Sequence, residues 1–109
     1  MAQGCLGSIV KANMSKVVCI VTYTEITDEA KLAAYAAMAP ATVEKNGGQF
    51  LARGYQVAVR ESGQQERTVV GIWKNIDVAL QWYESPEYKE CLEVLDDGAV
   101  RDIKFLDHI

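Results

Sequence analysis

Few residues in this chain of 109 residues are equipped for chemistry. Arg53 stands inside an apolar-rich run, 49–60, that reads as a strand. A guanidinium fixed on a sheet can grip a carboxylate through two parallel N–H donors. It can equally pair with an acidic residue on the next strand. Six of the nine aromatic residues, Tyr23, Tyr35, Trp73, Trp82, Tyr83 and Tyr88, fall where a sheet and its helices could enclose a pocket with apolar walls and a few polar tips. Tyr35 and Trp82 also lie on apolar helix stripes, where packing alone accounts for them. His108, the single histidine, could act as a base, but its place beside the C-terminus suits a solvated residue. One histidine cannot build a multi-histidine metal site, and a haem held by histidine is not expected. Ser85 precedes a proline and reads as a helix cap, since no base stands near it in sequence. The run Asp96-Asp97-Gly98 lacks the alternating ligands of a calcium loop and reads as a helix end. No Gly-rich phosphate loop, HExxH or GxSxG occurs. No metal and no cofactor are therefore expected.

Three cysteines, Cys5, Cys19 and Cys91, are widely spaced and form no CxxC pair. Cys19 falls in a strand pattern and Cys91 in a helix pattern, where a thiol acts as a small apolar side chain. Unreactive thiols suit a reducing, cytoplasmic setting. The net charge of −4 gives no electrostatic footprint for nucleic acid or an anionic membrane, and no stretch is long and apolar enough for a membrane helix. With 50% hydrophobic and 24% charged residues, the composition is that of one ordinary globular domain. That domain is expected over 14–109, beginning where Met14-Ser15-Lys16 leads into a strand. Residues 1–13 carry no secretory pattern and read as an extension, an upstream start or an expression remnant.

The elements that must position these side chains follow in order. A first strand spans 16–25, apolar on both faces, with Val17, Cys19 and Val21 opposite Val18 and Ile20. Thr27-Asp28 can cap a helix carrying Leu32, Tyr35, Ala36, Ala39 and Val43, with a kink or restart at Pro40 and an end at Asn46-Gly47-Gly48. The long second strand, 49–60, contains Gly54 as a bulge. A polar turn over 61–66 joins it to a third strand, 68–74, in which Val69, Gly71 and Trp73 oppose Val70 and Ile72. Asn75-Ile76-Asp77 opens a helix with Val78, Ala79, Trp82 and Tyr83. Ser85-Pro86 interrupts it and starts a turn with Tyr88, Cys91, Leu92 and Leu95. A last strand covers 101–107. The order βαββαβ predicts a ferredoxin-like α+β fold, a four-stranded antiparallel sheet with two helices on one face. Those helices can cover only one face, yet two strands are apolar on both. A second copy, sheet against sheet, would cover the other and pair the edge of the second strand. A homodimer forming a dimeric α/β barrel is the expectation; cover by residues 1–13 is the alternative.

Several of these motifs resemble the domain-of-unknown-function 1330 family: ITD after the first strand, Tyr35 and Pro40 in the first helix, NGGQFLARG at 46–54 and WYESPEYKE at 82–90. The likeness runs over about 16–107. It implies the dimeric α/β barrel and no established reaction. Related barrels include antibiotic-biosynthesis-type monooxygenases, muconolactone isomerases and haem-binding chlorite dismutases, an analogy of fold alone. The resemblance places Arg53 on the family's L-A-R pattern. One departure stands out. Family members often carry an arginine shortly after the S-P-E-Y helix begins, where this chain has Leu95 and Asp96. If that arginine holds an anion, this protein should do so poorly or differently. The preferred reading is a homodimer binding a small organic molecule through Arg53, Tyr35, Trp73, Tyr83 and Tyr88. The alternatives are a cofactor-independent monooxygenase- or isomerase-type enzyme and a non-catalytic interaction module, which would have a fully packed interior.

Overall fold

The structure, a computed structural model, describes residues 15–109; the extension expected over 1–13 lies outside them. The elements are β1 (Val17–Ile26), α1 (Glu29–Lys45), β2 (Gln49–Gly54), β3 (Thr68–Trp73), α2 (Ile76–Tyr83), α3 (Pro86–Leu95) and β4 (Ala99–Asp107). The strands form one antiparallel sheet in the order β2-β3-β1-β4. This is the expected ferredoxin-like arrangement, with the second helical stretch divided in two at Ser85-Pro86.

The period-2 alternation decides which side chains meet the helices. Val17, Cys19, Val21 and Tyr23 of β1 are buried, and their partners across the ladders include Trp73, Gly71 and Val69 of β3 and Phe105, Ile103 and Arg101 of β4. Against this face pack Leu32, Tyr35, Ala39 and Val43 from α1, Ala79 and Trp82 from α2, and Tyr88, Cys91 and Leu95 from α3. The opposite face carries Val18 against Ile72 and Ile20 against Val70, all half-buried.

The caps fall where short polar side chains can take up the first free N–H groups. Asp28 accepts from Ala30 and Lys31 at 3.0 and 3.1 Å, Asn75 from Val78 at 2.9 Å and Ser85 from Tyr88 at 3.2 Å. Gly98 accepts from the backbone of Thr27 and Asp28, which ties the start of α1 to the end of α3. Asp96 and Asp97 turn outward to Lys31 at 2.9 and 2.6 Å, an exposed cluster of the kind that stabilises little.

Three details differ from the sequence reading. First, α1 runs through Pro40 without a restart. The proline deprives only one carbonyl, and burial of Ala39, Thr42 and Val43 around it holds the helix together. Second, β2 stops at Gly54 instead of continuing to position 60. Residues 55–66 leave the sheet, and Tyr55, Val57 and Val59 are exposed, Val57 fully. Their alternation suits a strand, but among the described residues no neighbouring strand receives it. Third, the bulge lies between Phe50 and Ala52, while Gly54, at φ +144°, turns the chain out of the sheet.

Gly48 is required for space. A Cβ there would lie 2.6 Å from the Trp73 ring and 2.7 Å from Val43. Gly48→Ala is expected to lower stability by about 1–3 kcal/mol through overpacking. Chemical denaturation checks this, and an unchanged midpoint would contradict the packing described.

Candidate functional site

Sheet and helices do not close completely on one another. Between α1 and the strands lies a cavity of about 70 Å³, open at one side. Its floor is Cys19, Val21, Val69 and Gly71 from the central strands, and Trp73, Trp82 and Val43 close its apolar end. Trp73 and Trp82 lie ring on ring at 4.9 Å between centroids, and Trp82 touches Tyr88 at 4.3 Å. The Trp82 indole N–H donates to Thr42 Oγ1 at 3.1 Å, and that hydroxyl donates to the Ala39 carbonyl at 2.7 Å. The buried polar atoms of this wall are therefore paired with one another.

The other end is built on Arg101. Its place in the β4 alternation points it inward beside Ile103 and Phe105. One terminal N–H group donates to Tyr35 Oη at 3.0 Å, the other to Tyr88 Oη at 3.3 Å, and the two phenol oxygens lie 2.6 Å apart. The guanidinium is also 5.0 Å from the Tyr35 ring and 5.4 Å from the Tyr23 ring. Tyr23 has a second guanidinium over it, that of Arg67, at 5.5 Å. Such contacts favour a cation leaving bulk water. α1 supplies Tyr35, α3 supplies Tyr88 and β4 supplies Arg101, so one hydrogen-bonded triad joins the three elements.

Burial pushes both tyrosines above the usual phenol range, and the pull of Arg101 in the opposite direction does not offset it. Both remain protonated at neutral pH and serve as donors. For Arg101, burial is the largest influence and opposes the charge, but the phenol oxygens of Tyr35 and Tyr88 outweigh it and the guanidinium stays charged. Cys19, on the floor, is pushed up to about 11 by burial, with Arg101 pulling weakly the other way. Burial likewise raises Cys91. Neither thiol is activated.

Of the residues singled out in the sequence, Tyr35, Trp73 and Tyr88 line the cavity. Arg53 lines its accessible side, exposed, with its guanidinium 5.7 Å from the Phe50 ring. Tyr83 does not line it; it is half-buried and packs edge-on against Trp82. His108 is exposed, and Ser85 caps α3. Sequence reasoning missed Arg67 and Arg101. The signal for Arg101 was present: alternation along β4 sets it on the same face as Ile103 and Phe105. Leu95 is core and Asp96 holds Lys31.

Comparison with known proteins agrees with this architecture. The family model described as a domain of unknown function (DUF1330) matches residues 16–109. No curated protein matches the chain. Among solved structures, a protein of unknown function from Rhodopseudomonas palustris superimposes with a TM-score of 0.71 at 10% identity, covering 100% of this chain and 94% of its own. SnoaB from Streptomyces nogalater, a cofactor-independent oxygenase, gives 0.64 at 14% identity, with 87% and 94% covered. A dimeric ferredoxin-like protein of unknown function from Thermobifida fusca gives 0.60 at 13% identity, with 86% and 92% covered. At these identities the likeness is one of fold. No described helix is long and apolar enough to cross a membrane.

The thiol on the cavity floor has a consequence at high pH. An unfolded chain ionises it from about 9, whereas the native state keeps it protonated to about 11. The native state then binds more protons, so stability falls as pH rises through this window. The denaturation midpoint should be lower near pH 10.5 than near pH 8. Cys19→Ala should remove about 2 kcal/mol of that fall. Equal falls in both proteins would show that the thiol is not shielded.

Proposed function

The chain belongs to the family described as a domain of unknown function, DUF1330, and from that premise we propose that it is a small homodimer that binds a small organic molecule in the cavity between sheet and helices. The observation that carries the reading is the meeting of apolar aromatic walls with the Tyr35–Tyr88–Arg101 triad in one open cavity. Binding sites commonly have this composition, mostly apolar with a few convergent polar tips. Tyr35, Tyr88 and Arg101 orient the ligand, Trp73 packs on its apolar part, and Arg53 meets it at the accessible side. Tyr83 supports Tyr88 from behind, with ring centroids 5.5 Å apart. The unreactive thiols suit a reducing, cytoplasmic compartment.

The homodimer is argued from the outer face of the sheet. Val18, Ile20, Val70 and Ile72 form an apolar patch at its centre, and Leu106 is 49% exposed beside it. A recess lined by Ala52, Tyr55, Gln56 and Val70 continues that surface toward the edge strand β2. A second sheet laid on this face buries both. The Thermobifida fusca neighbour is described as dimeric, which supports the reading.

One observation favours catalysis as a second reading. Two phenols held protonated beside a guanidinium can stabilise an oxyanion and return a proton to it, with no cofactor. SnoaB, which shares the fold, is a cofactor-independent oxygenase.

Light scattering on the purified protein should give twice the monomer mass, and Ile20→Glu should shift it to the monomer; a monomeric native protein overturns the dimer. For the cavity, Ala36→Leu narrows the accessible side without touching the triad. It should weaken small-molecule binding about tenfold, 1.4 kcal/mol, by calorimetry. Unchanged affinity would place the ligand elsewhere.

A further inference from the structure

We propose that the molecule taken by this cavity is an organic monocarboxylate, its carboxylate held between Arg67, Arg101 and the Tyr35–Tyr88 hydroxyl pair. The proposal rests on the small-molecule reading above and names its substrate class.

The first argument is a count of donors. Tyr35 and Tyr88 bring two hydroxyl hydrogens. Their mutual hydrogen bond uses one, and both oxygens already accept from Arg101. Among the described residues, no acceptor receives the second. Arg67 Nε is buried and has no hydrogen-bond partner among the described residues. A buried donor left unpaired is unfavourable, and an acceptor supplied by a ligand removes that penalty. Both donors belong to side chains that line the cavity, and Tyr23 lies under both guanidiniums.

The second argument is charge. The chain carries a net charge of −4, yet three of its four arginines, Arg53, Arg67 and Arg101, line this cavity and no Asp or Glu does. All four ion pairs among the described residues use lysines, so none of these arginines is neutralised by a carboxylate of the protein. A cationic, partly dehydrated recess in an acidic protein calls for an anion. An excess of N–H and O–H donors without a protein acceptor selects an oxyanion, and the planar guanidiniums match a carboxylate.

Volume sets the size. About 70 Å³ is well below the roughly 150 Å³ of a cavity that encloses benzene. The carboxylate and its nearest carbons fit inside. The rest of the molecule lies at the accessible side, against Ala36, Pro40 and Phe50.

The test uses benzoate and its neutral analogue benzyl alcohol. Each is titrated into the full chain by calorimetry while the two Trp indole N–H resonances are followed by NMR. Benzoate should bind at least about tenfold more tightly than benzyl alcohol and should shift an indole resonance. Arg67→Gln should abolish that preference, lowering the affinity for benzoate at least about tenfold. Arg67 lies on the flank of β3, outside the buried core, and a native-like NMR spectrum verifies that the variant folds. Equal affinity for the two probes, or an undiminished preference in Arg67→Gln, overturns the carboxylate proposal and leaves the small-molecule reading standing. Failure of both probes to bind overturns the two together.

Discussion

A charge drawn out of water must be compensated, and among the described residues Arg101 is compensated by phenols alone. Its guanidinium spans Tyr35 and Tyr88, which bond to each other, and it lies against the rings of Tyr23 and Tyr35. Removing either hydroxyl would leave a half-buried cation short of an acceptor, which costs far more than an ordinary surface bond. The same triad fixes the spacing of α1, α3 and β4. The cavity therefore exists between the helices and the sheet because these three elements meet on a polar contact and are not closed on apolar side chains.

The aromatic wall complements this arrangement. Trp73, Trp82 and Tyr88 form a continuous stack from β3 through α2 to α3, with Tyr83 at its edge. Large rings pack at fixed separations and do not collapse into the gap beside them. Thr42, a hydroxyl inside α1, takes the indole N–H and passes its own hydrogen to the helix backbone, so the wall carries no unpaired polar atom. Unsatisfied donors are concentrated at the opposite end, on Arg67 and the tyrosine pair.

Much of this was legible in the sequence. Alternation set Val17, Cys19 and Val21 against Val18 and Ile20, and the ladder has that register. Asp28, Asn75 and Ser85 cap the helices because their spacing to the next apolar run leaves them no other role. The restart weighed at Pro40 did not occur, since a local rule about one missing donor was outweighed by packing on both sides of it. The second strand misled in the opposite way. Tyr55, Val57 and Val59 have a strand's alternation, but a strand forms only where another can receive its backbone bonds, and periodicity carries no information about that. Arg53 was visible because it stands in a motif. Arg101 was marked only by its alternation with Ile103 and Phe105, and Arg67, which precedes β3, by nothing local; three-dimensional convergence on Tyr23, with Tyr35 and Tyr88 for Arg101, gives them a setting.

The excursion between β2 and β3 separates two kinds of sequence freedom. The chain leaves the sheet at Gly54, directly after Arg53, and rejoins it at Thr68, directly after Arg67. The backbone of Tyr23 pins the returning root by donating to the Arg67 carbonyl at 2.9 Å. Two cations are thus rooted at the feet of one protruding arm, and the tip contributes to neither. Mutation can lengthen, shorten or recharge the tip to suit whatever it touches outside, while the two feet go on presenting the same positive pair within.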